Sequence, residues 1–108
     1  MNGTTPQLPL AIPADEIAAF CRRHHIRELA LFGSVLRPDF GPDSDVDVLV
    51  EFEPGHIPGL NFFTIQDELS HILGRTVDLN TRQFISPRFR RQVETEAEII
   101  YDQTRSLA

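Results

Sequence analysis

Two short segments hold most of the chemistry this sequence can offer. In Leu31-Phe32-Gly33-Ser34-Val35-Leu36-Arg37 an apolar stretch runs into a Gly-Ser turn, and seven residues after Arg37 comes Ser44-Asp45-Val46-Asp47-Val48-Leu49-Val50. Gly33 lets backbone approach an anion with no Cβ in the way, so the N–H groups of the turn could face phosphate. A short helix opening at Ser34 would add a hydroxyl and first-turn amides that lack intrahelical partners. Arg37 follows one turn later with a positive charge.

The acids supply the complementary half. On a strand, Asp45 and Asp47 share one face with alpha carbons roughly 6.6 Å apart, while Val46, Val48 and Val50 take the other. Two carboxylates side by side repel unless a cation lies between them or one is protonated. Oxygen-only ligands favour Mg2+, with Mn2+ as the alternative, over zinc. An isolated D-x-D is most often a solvated strand edge, but here it coincides with a Gly-Ser turn and with apolar neighbours that would bury the strand. Asp78 is the natural third carboxylate. In Thr76-Val77-Asp78-Leu79-Asn80 it stands between two core-type residues, and pairing of this strand beside the first would bring it to the same open face.

These groups need elements to position them. Pro13 can open a helix running to about His25, with Asp15 and Glu16 at its positive end and Ile17, Phe20, Cys21 and His24 as its inward stripe. His24 and His25 near its C-terminus read as favourably placed charges rather than as metal ligands. Glu28 to Phe32 reads as a strand, and Glu53 to Leu60, rich in Pro and Gly, as a loop. His56 on that loop would be solvated, or close to a bound nucleotide if the loop folds over the cleft. Phe62, Ile65, Leu69, Ile72 and Leu73 give a helix from Asn61 to Leu73 that Gly74 stops. Ser86-Pro87 caps a last helix to about Ala97, with Phe89 and Val93 inward, and Glu98 to Tyr101 reads as a final strand. Arg82, Arg88, Arg90 and Arg91 make this end locally basic. The plainer account of them is an exposed helix face paired with neighbouring glutamates, and the sharper one is contact with triphosphate or an acidic partner.

Composition sets limits. The 108 residues predict a leader over 1–12 and one domain over 13–108, too small for a separate acceptor lobe. Ten Lys and Arg against sixteen Asp and Glu give a net charge of -6, which argues against direct nucleic-acid binding. Cys21 is the only cysteine, so it reads as a buried thiol in a reducing compartment, and a disulfide within the chain is excluded. No charged signal region or membrane-length apolar run is present, which predicts a soluble cytoplasmic protein with no membrane partner.

Gly33-Ser34 with Arg37, followed by Ser44-Asp45-Val46-Asp47, resembles the G-S-x-x-R and S-D-x-D signature of the minimal nucleotidyltransferases in the DNA polymerase beta-like superfamily. The likeness extends through Glu51-Phe52, Pro54-Gly55, Gly74-Arg75-Thr76-Val77-Asp78-Leu79 and Glu98-Ile99-Ile100-Tyr101. Leu36 and Pro38 depart from a frequent alanine and a frequent glycine, and neither change removes a carboxylate. The resemblance implies an α/β (α+β) fold, a small mixed sheet with helices on one face and a nucleotide and metal cleft on the other. It also implies that Asp45, Asp47 and Asp78 form the catalytic metal site for Mg2+. Gly33, Ser34, Arg37 and Ser44 would surround the triphosphate of ATP.

Proteins of this type resemble the antitoxin half of toxin-antitoxin pairs whose partner is a small helical HEPN-domain ribonuclease. The implied reaction is transfer of AMP from ATP to a tyrosine of that toxin. Two other readings compete: an antitoxin that binds without catalysis, and a nucleotidyltransferase for a small hydroxylated molecule.

Overall fold

The computed structural model describes residues 11–38, 40–41, 43–81 and 85–104, with only the backbone of Ser34. The expected leader up to residue 10 and Arg82 lie outside the described residues. In chain order the elements are α1 (Ala14–Arg23), β1 (Ile26–Phe32), a 3-10 turn (Gly33–Leu36), β2 (Val46–Phe52), α2 (Phe62–Leu73, led in by a 3-10 turn over Gly59–Asn61), β3 (Val77–Asn80), α3 (Pro87–Glu96) and β4 (Glu98–Asp102). The strands form one mixed sheet in the order β3-β2-β1-β4. β1 runs antiparallel to both β2 and β4, whereas β2 and β3 are parallel.

Alternation along the strands divides the sheet into two unlike faces. Leu29, Leu31, Val46, Val48, Val50, Val77 and Leu79 meet Ile17, Phe20 and Cys21 of α1 and Ile65, Leu69 and Leu73 of α2 in one buried core. Asp47 and Asp78 belong to the opposite set of strand positions, Asp78 exposed and Asp47 half-buried. Burial of these aliphatic side chains, each stabilising by about 1.5–3 kcal/mol, fixes the register, because a slip of one residue would exchange the two faces.

The helices follow their local signals. α1 carries Asp15 and Glu16 in its first turn and Arg22 and Arg23 in its last, complementing its dipole. Burial pushes the Cys21 thiol up to about 12, against a smaller downward pull from Arg22, so it stays protonated. α2 stops at Gly74, whose φ of 66° is left-handed, as the glycine predicted. Ser86 caps α3 by accepting from the Arg88 N–H.

Three expectations need correction. Phe89 is 53% exposed and no α3 residue is buried, because α1 and α2 already fill the core face of the sheet. The short helix after β1 begins one residue earlier than Ser34, as a single 3-10 turn over Gly33–Leu36. β2 begins at Val46, so Asp45 immediately precedes the strand.

β3 is an edge strand, which ordinarily leaves a row of unpaired amides. Here α2 covers it: the Val77 N–H donates to Ser70 Oγ at 3.0 Å and the Leu79 N–H to Gln66 Oε1 at 2.9 Å. The helix side chains thereby fix the height of Asp78 beside β2. Among the described residues, no helix is long and apolar enough to cross a membrane.

Candidate active site

The parallel pairing of β2 with β3 sets Asp47 directly opposite Asp78, between the apolar pairs Val46 with Val77 and Val48 with Leu79. Antiparallel pairing on the other side sets Phe32 opposite Asp47. The turn that leaves β1 therefore starts beside the same acid. Gly33 there has a φ of 75°, and a Cβ built on it would lie 3.1 Å from Asp47 Cγ and 3.3 Å from Asp47 Cβ, with Oδ2 closer still. Both conformation and space require glycine at this position. Val35, fully buried in the core, anchors the turn from below.

Asp45 is exposed at the entrance to β2. The Val46 N–H donates to the Thr76 carbonyl at 2.8 Å, so the first ladder bond between β2 and the chain entering β3 forms immediately after Asp45. Ser44 turns inward on its own loop, where its Oγ accepts from the Gly41 N–H at 3.1 Å and its N–H donates to the Gly41 carbonyl at 3.1 Å. These bonds brace the loop that carries Asp45. Arg37 is exposed just past the 3-10 turn, and its carbonyl accepts from the Phe40 N–H.

Sequence reasoning gave no role to Arg75, which the structure places at the centre of this bracing. One guanidinium nitrogen donates to the Gly41 carbonyl at 2.6 Å and to the Ser44 carbonyl at 2.8 Å. The guanidinium carbon also sits 4.5 Å above the Phe40 ring. Gly74 aims it there by ending α2, and the Arg75 N–H closes the helix onto the Ser70 carbonyl. A planar cation with several donors suits two diverging carbonyls and an aromatic face. The only sequence signal was an arginine next to a helix-stopping glycine.

Asp45, Asp47 and Asp78 thus lie at one end of the β2–β3 pair, joined there by Gly33. The donor set is all oxygen, and the place of a Gly33 Cβ is taken by the Asp47 carboxylate, so these residues fit a hard divalent cation. The one group of three residues with ligand atoms already within 4.8 Å of each other is elsewhere: among the described residues it is His25, Glu53 and His56. His56 stacks on His25 with centroids 3.9 Å apart. Its loop follows the far end of β2, near the Ile26–Phe52 pair, whereas the acids adjoin Phe32 and Asp47. A groove lies along α2 and the entry to β3, lined by residues such as Gln66, Ser70 and Arg75. It does not include the three acids.

Comparison with known proteins agrees with this arrangement. Residues 15–100 match the family model described as a nucleotidyltransferase domain. The provisionally named protein adenylyltransferase MJ1379 of Methanocaldococcus jannaschii is 32% identical over 76 residues, covering 68% of this chain and 76% of its own. A solved structure described as a provisionally assigned minimal nucleotidyltransferase superposes with a TM-score of 0.65 at 36% identity, over 78% of this chain and 85% of that one. A chain of the structure described as a tri-AMPylated Shewanella oneidensis HEPN toxin in complex with an MNT antitoxin superposes with a TM-score of 0.60 at 19% identity, over 86% of this chain and 72% of that one, which is a likeness of fold. The four-stranded mixed sheet is shared with a minimal nucleotidyltransferase, and the chain belongs to the nucleotidyltransferase domain family.

Proposed function

We propose that this nucleotidyltransferase is an antitoxin that transfers AMP from ATP to a tyrosine hydroxyl of a HEPN-domain ribonuclease toxin and neutralises it by that modification. The observation that carries the chemistry is the juxtaposition of Asp47 with Asp78 across paired strands and with Gly33 across the turn. The acceptor class rests on the name of the archaeal relative, and the toxin on the fold likeness to an MNT antitoxin in complex with an AMPylated HEPN toxin.

Asp45 and Asp47, with Asp78, would hold Mg2+, which when bound neutralises triphosphate charge and stabilises the leaving pyrophosphate. The remaining work belongs to the chain. The Gly33-Ser34 turn lies against the β- and γ-phosphates, and the glycine permits close approach. Arg37 adds positive charge at the open side. Asp78, on the outer strand, orients the acceptor hydroxyl and receives its proton. The hydroxyl oxygen forms a bond to the α-phosphorus, the bond from that phosphorus to the bridging oxygen of the β-phosphate breaks, and pyrophosphate departs in line. A tyrosine hydroxyl has an ordinary pKa of about 10, so a nearby carboxylate base matters near neutrality. Added adenylate places bulk and negative charge where an RNA phosphate must approach the toxin.

The test is to incubate the protein with the product of the gene beside its own, Mg2+, and ATP labelled at either the α- or the γ-phosphate. Label appearing on that gene product from α-labelled ATP alone is the expected outcome. Label from γ-labelled ATP would mean phosphoryl transfer, and no label from either would refute the proposal.

A further inference from the structure

At the end of the sheet away from the acids, His25, Glu53 and His56 hold one ligand atom each within 4.8 Å of one another. Backbone bonds fix this meeting of two segments. His25 is the one non-glycine residue among those described with a positive φ, 56°, in the turn between α1 and β1. Its carbonyl accepts from the Glu53 N–H at 2.8 Å, and the Glu53 carbonyl accepts from the His56 N–H at 3.0 Å. The Glu53 side chain is oriented as well, since Oε2 accepts from Gln103 Nε2 at 2.6 Å while Oε1 faces His25 Nδ1 at 3.8 Å.

That 3.8 Å is too long for a hydrogen bond. It is close to the separation of neighbouring ligands on a tetrahedral ion, roughly 3.3 Å for bonds of about 2.0–2.1 Å. The His25 and His56 rings stack with planes 15° apart, so they must splay for both nitrogen lone pairs to meet one centre. Both residues are solvent-exposed, which leaves their rings room to turn. Two imidazoles and a carboxylate select a borderline ion such as Zn2+ over Mg2+ and leave a fourth position for water. A carboxylate ligand held by a hydrogen-bond donor, as Gln103 holds Glu53, is the usual support of such sites.

We propose that His25, Glu53 and His56 form a second metal site, for Zn2+ or a similar divalent transition ion, that ties the α1–β1 turn to the loop after β2. It is separate from the carboxylate site in position and in ligand chemistry. Six residue steps of β1, from Ile26 to Phe32, separate the two ends, roughly 20 Å of strand. Its occupancy stabilises the fold without entering the transfer reaction.

The test is calorimetric titration of chelator-stripped, tag-free protein with Zn2+ alone, paired with thermal denaturation. One Zn2+ per chain and a rise in Tm are expected. His56→Ala and Glu53→Gln should each weaken binding at least ~10-fold and abolish the rise in Tm, and Gln103→Leu should weaken it ~10–100-fold. His56 is exposed on a loop, so the metal-free Tm of His56→Ala should match that of the parent. An Asp45→Asn, Asp47→Asn double variant and His24→Gln should bind as the parent does. No binding, undiminished binding in both His56→Ala and Glu53→Gln, or loss in the Asp45, Asp47 or His24 variants would overturn the proposal.

Discussion

Gly33 and Asp47 share a space that admits only one of them a side chain: a Cβ on Gly33 would stand 3.1 Å from Asp47 Cγ, at a φ of 75° that already disfavours any L side chain. The turn proposed to hold phosphate is thus built directly against an acid proposed to hold the cation. Gly33→Ala should cost about 1–2 kcal/mol from the left-handed backbone, seen as a lower Tm. The displaced Asp47 should cost more in function, with AMP transfer falling at least ~100-fold, as misplacement by about 1 Å commonly does. Parental transfer with a parental Tm would contradict this coupling.

The carboxylates should separate by role. Asp45→Asn and Asp47→Asn are each expected to abolish transfer. For exposed Asp45 the change in stability should stay within about 0.5 kcal/mol. Asp78→Asn is expected to lose about 10²–10⁴-fold through the missing base. Its residual rate should rise with pH more steeply than that of the parent as the acceptor ionises unaided. Steady-state rates at several pH values check this, and identical pH profiles would remove Asp78 from the proton step.

Arg75 acts on the site through the loop that carries Asp45. Its donors to the Gly41 and Ser44 carbonyls are hydrogen bonds from a charged group, the kind whose loss costs about 1.5–3 kcal/mol each. Arg75→Met should raise the Mg2+ concentration needed for half-maximal transfer and lower the maximal rate, whereas Arg75→Lys, keeping charge but not the planar fork, should fall between. A Mg2+ titration of transfer rates reads the difference. A purely structural role would lower Tm and leave the Mg2+ dependence of the folded fraction unchanged.

His24 ties stability to pH. Burial first, then the charges of Arg23 and His25, push its pKa below the ordinary 6.5, while Nε2 stays 2.8 Å from Glu68 Oε1. The folded chain therefore binds fewer protons at this site than the unfolded chain in the window below pH 6.5. Its contribution to stability is complete above that pH and is lost as pH falls toward the depressed folded value. Melting curves between pH 7.5 and about 5 should fall more for the parent than for His24→Gln. Parallel curves would show that burial of His24 carries no pH cost.

Much of this was legible in the sequence because it depends on local rules. Alternation placed Asp47 and Asp78 opposite the valines and Leu79, and periodicity with Gly74 delimited α2. The family resemblance gathered the signature residues before any contact was known. What could not be read depends on where distant segments meet. Phe89 satisfies helical spacing but finds the core face already occupied. Ser44 and Arg75 are 31 positions apart, so their bond through the Ser44 carbonyl leaves no trace in either local pattern. His25 read as a charge near a helix end because nothing in the sequence shows that the loop after β2 returns His56 to stack on it.

The central claim is nucleotidyl transfer to a protein by the Asp45, Asp47 pair. It is tested most directly by intact-mass spectrometry of the neighbouring gene product after incubation with this protein, ATP and Mg2+, beside an Asp45→Asn, Asp47→Asn double variant. A mass gain of one or more AMP groups with the parent, and none with the variant, is predicted. An unmodified mass despite a stable complex between the two proteins would contradict the account and leave neutralisation by binding in its place.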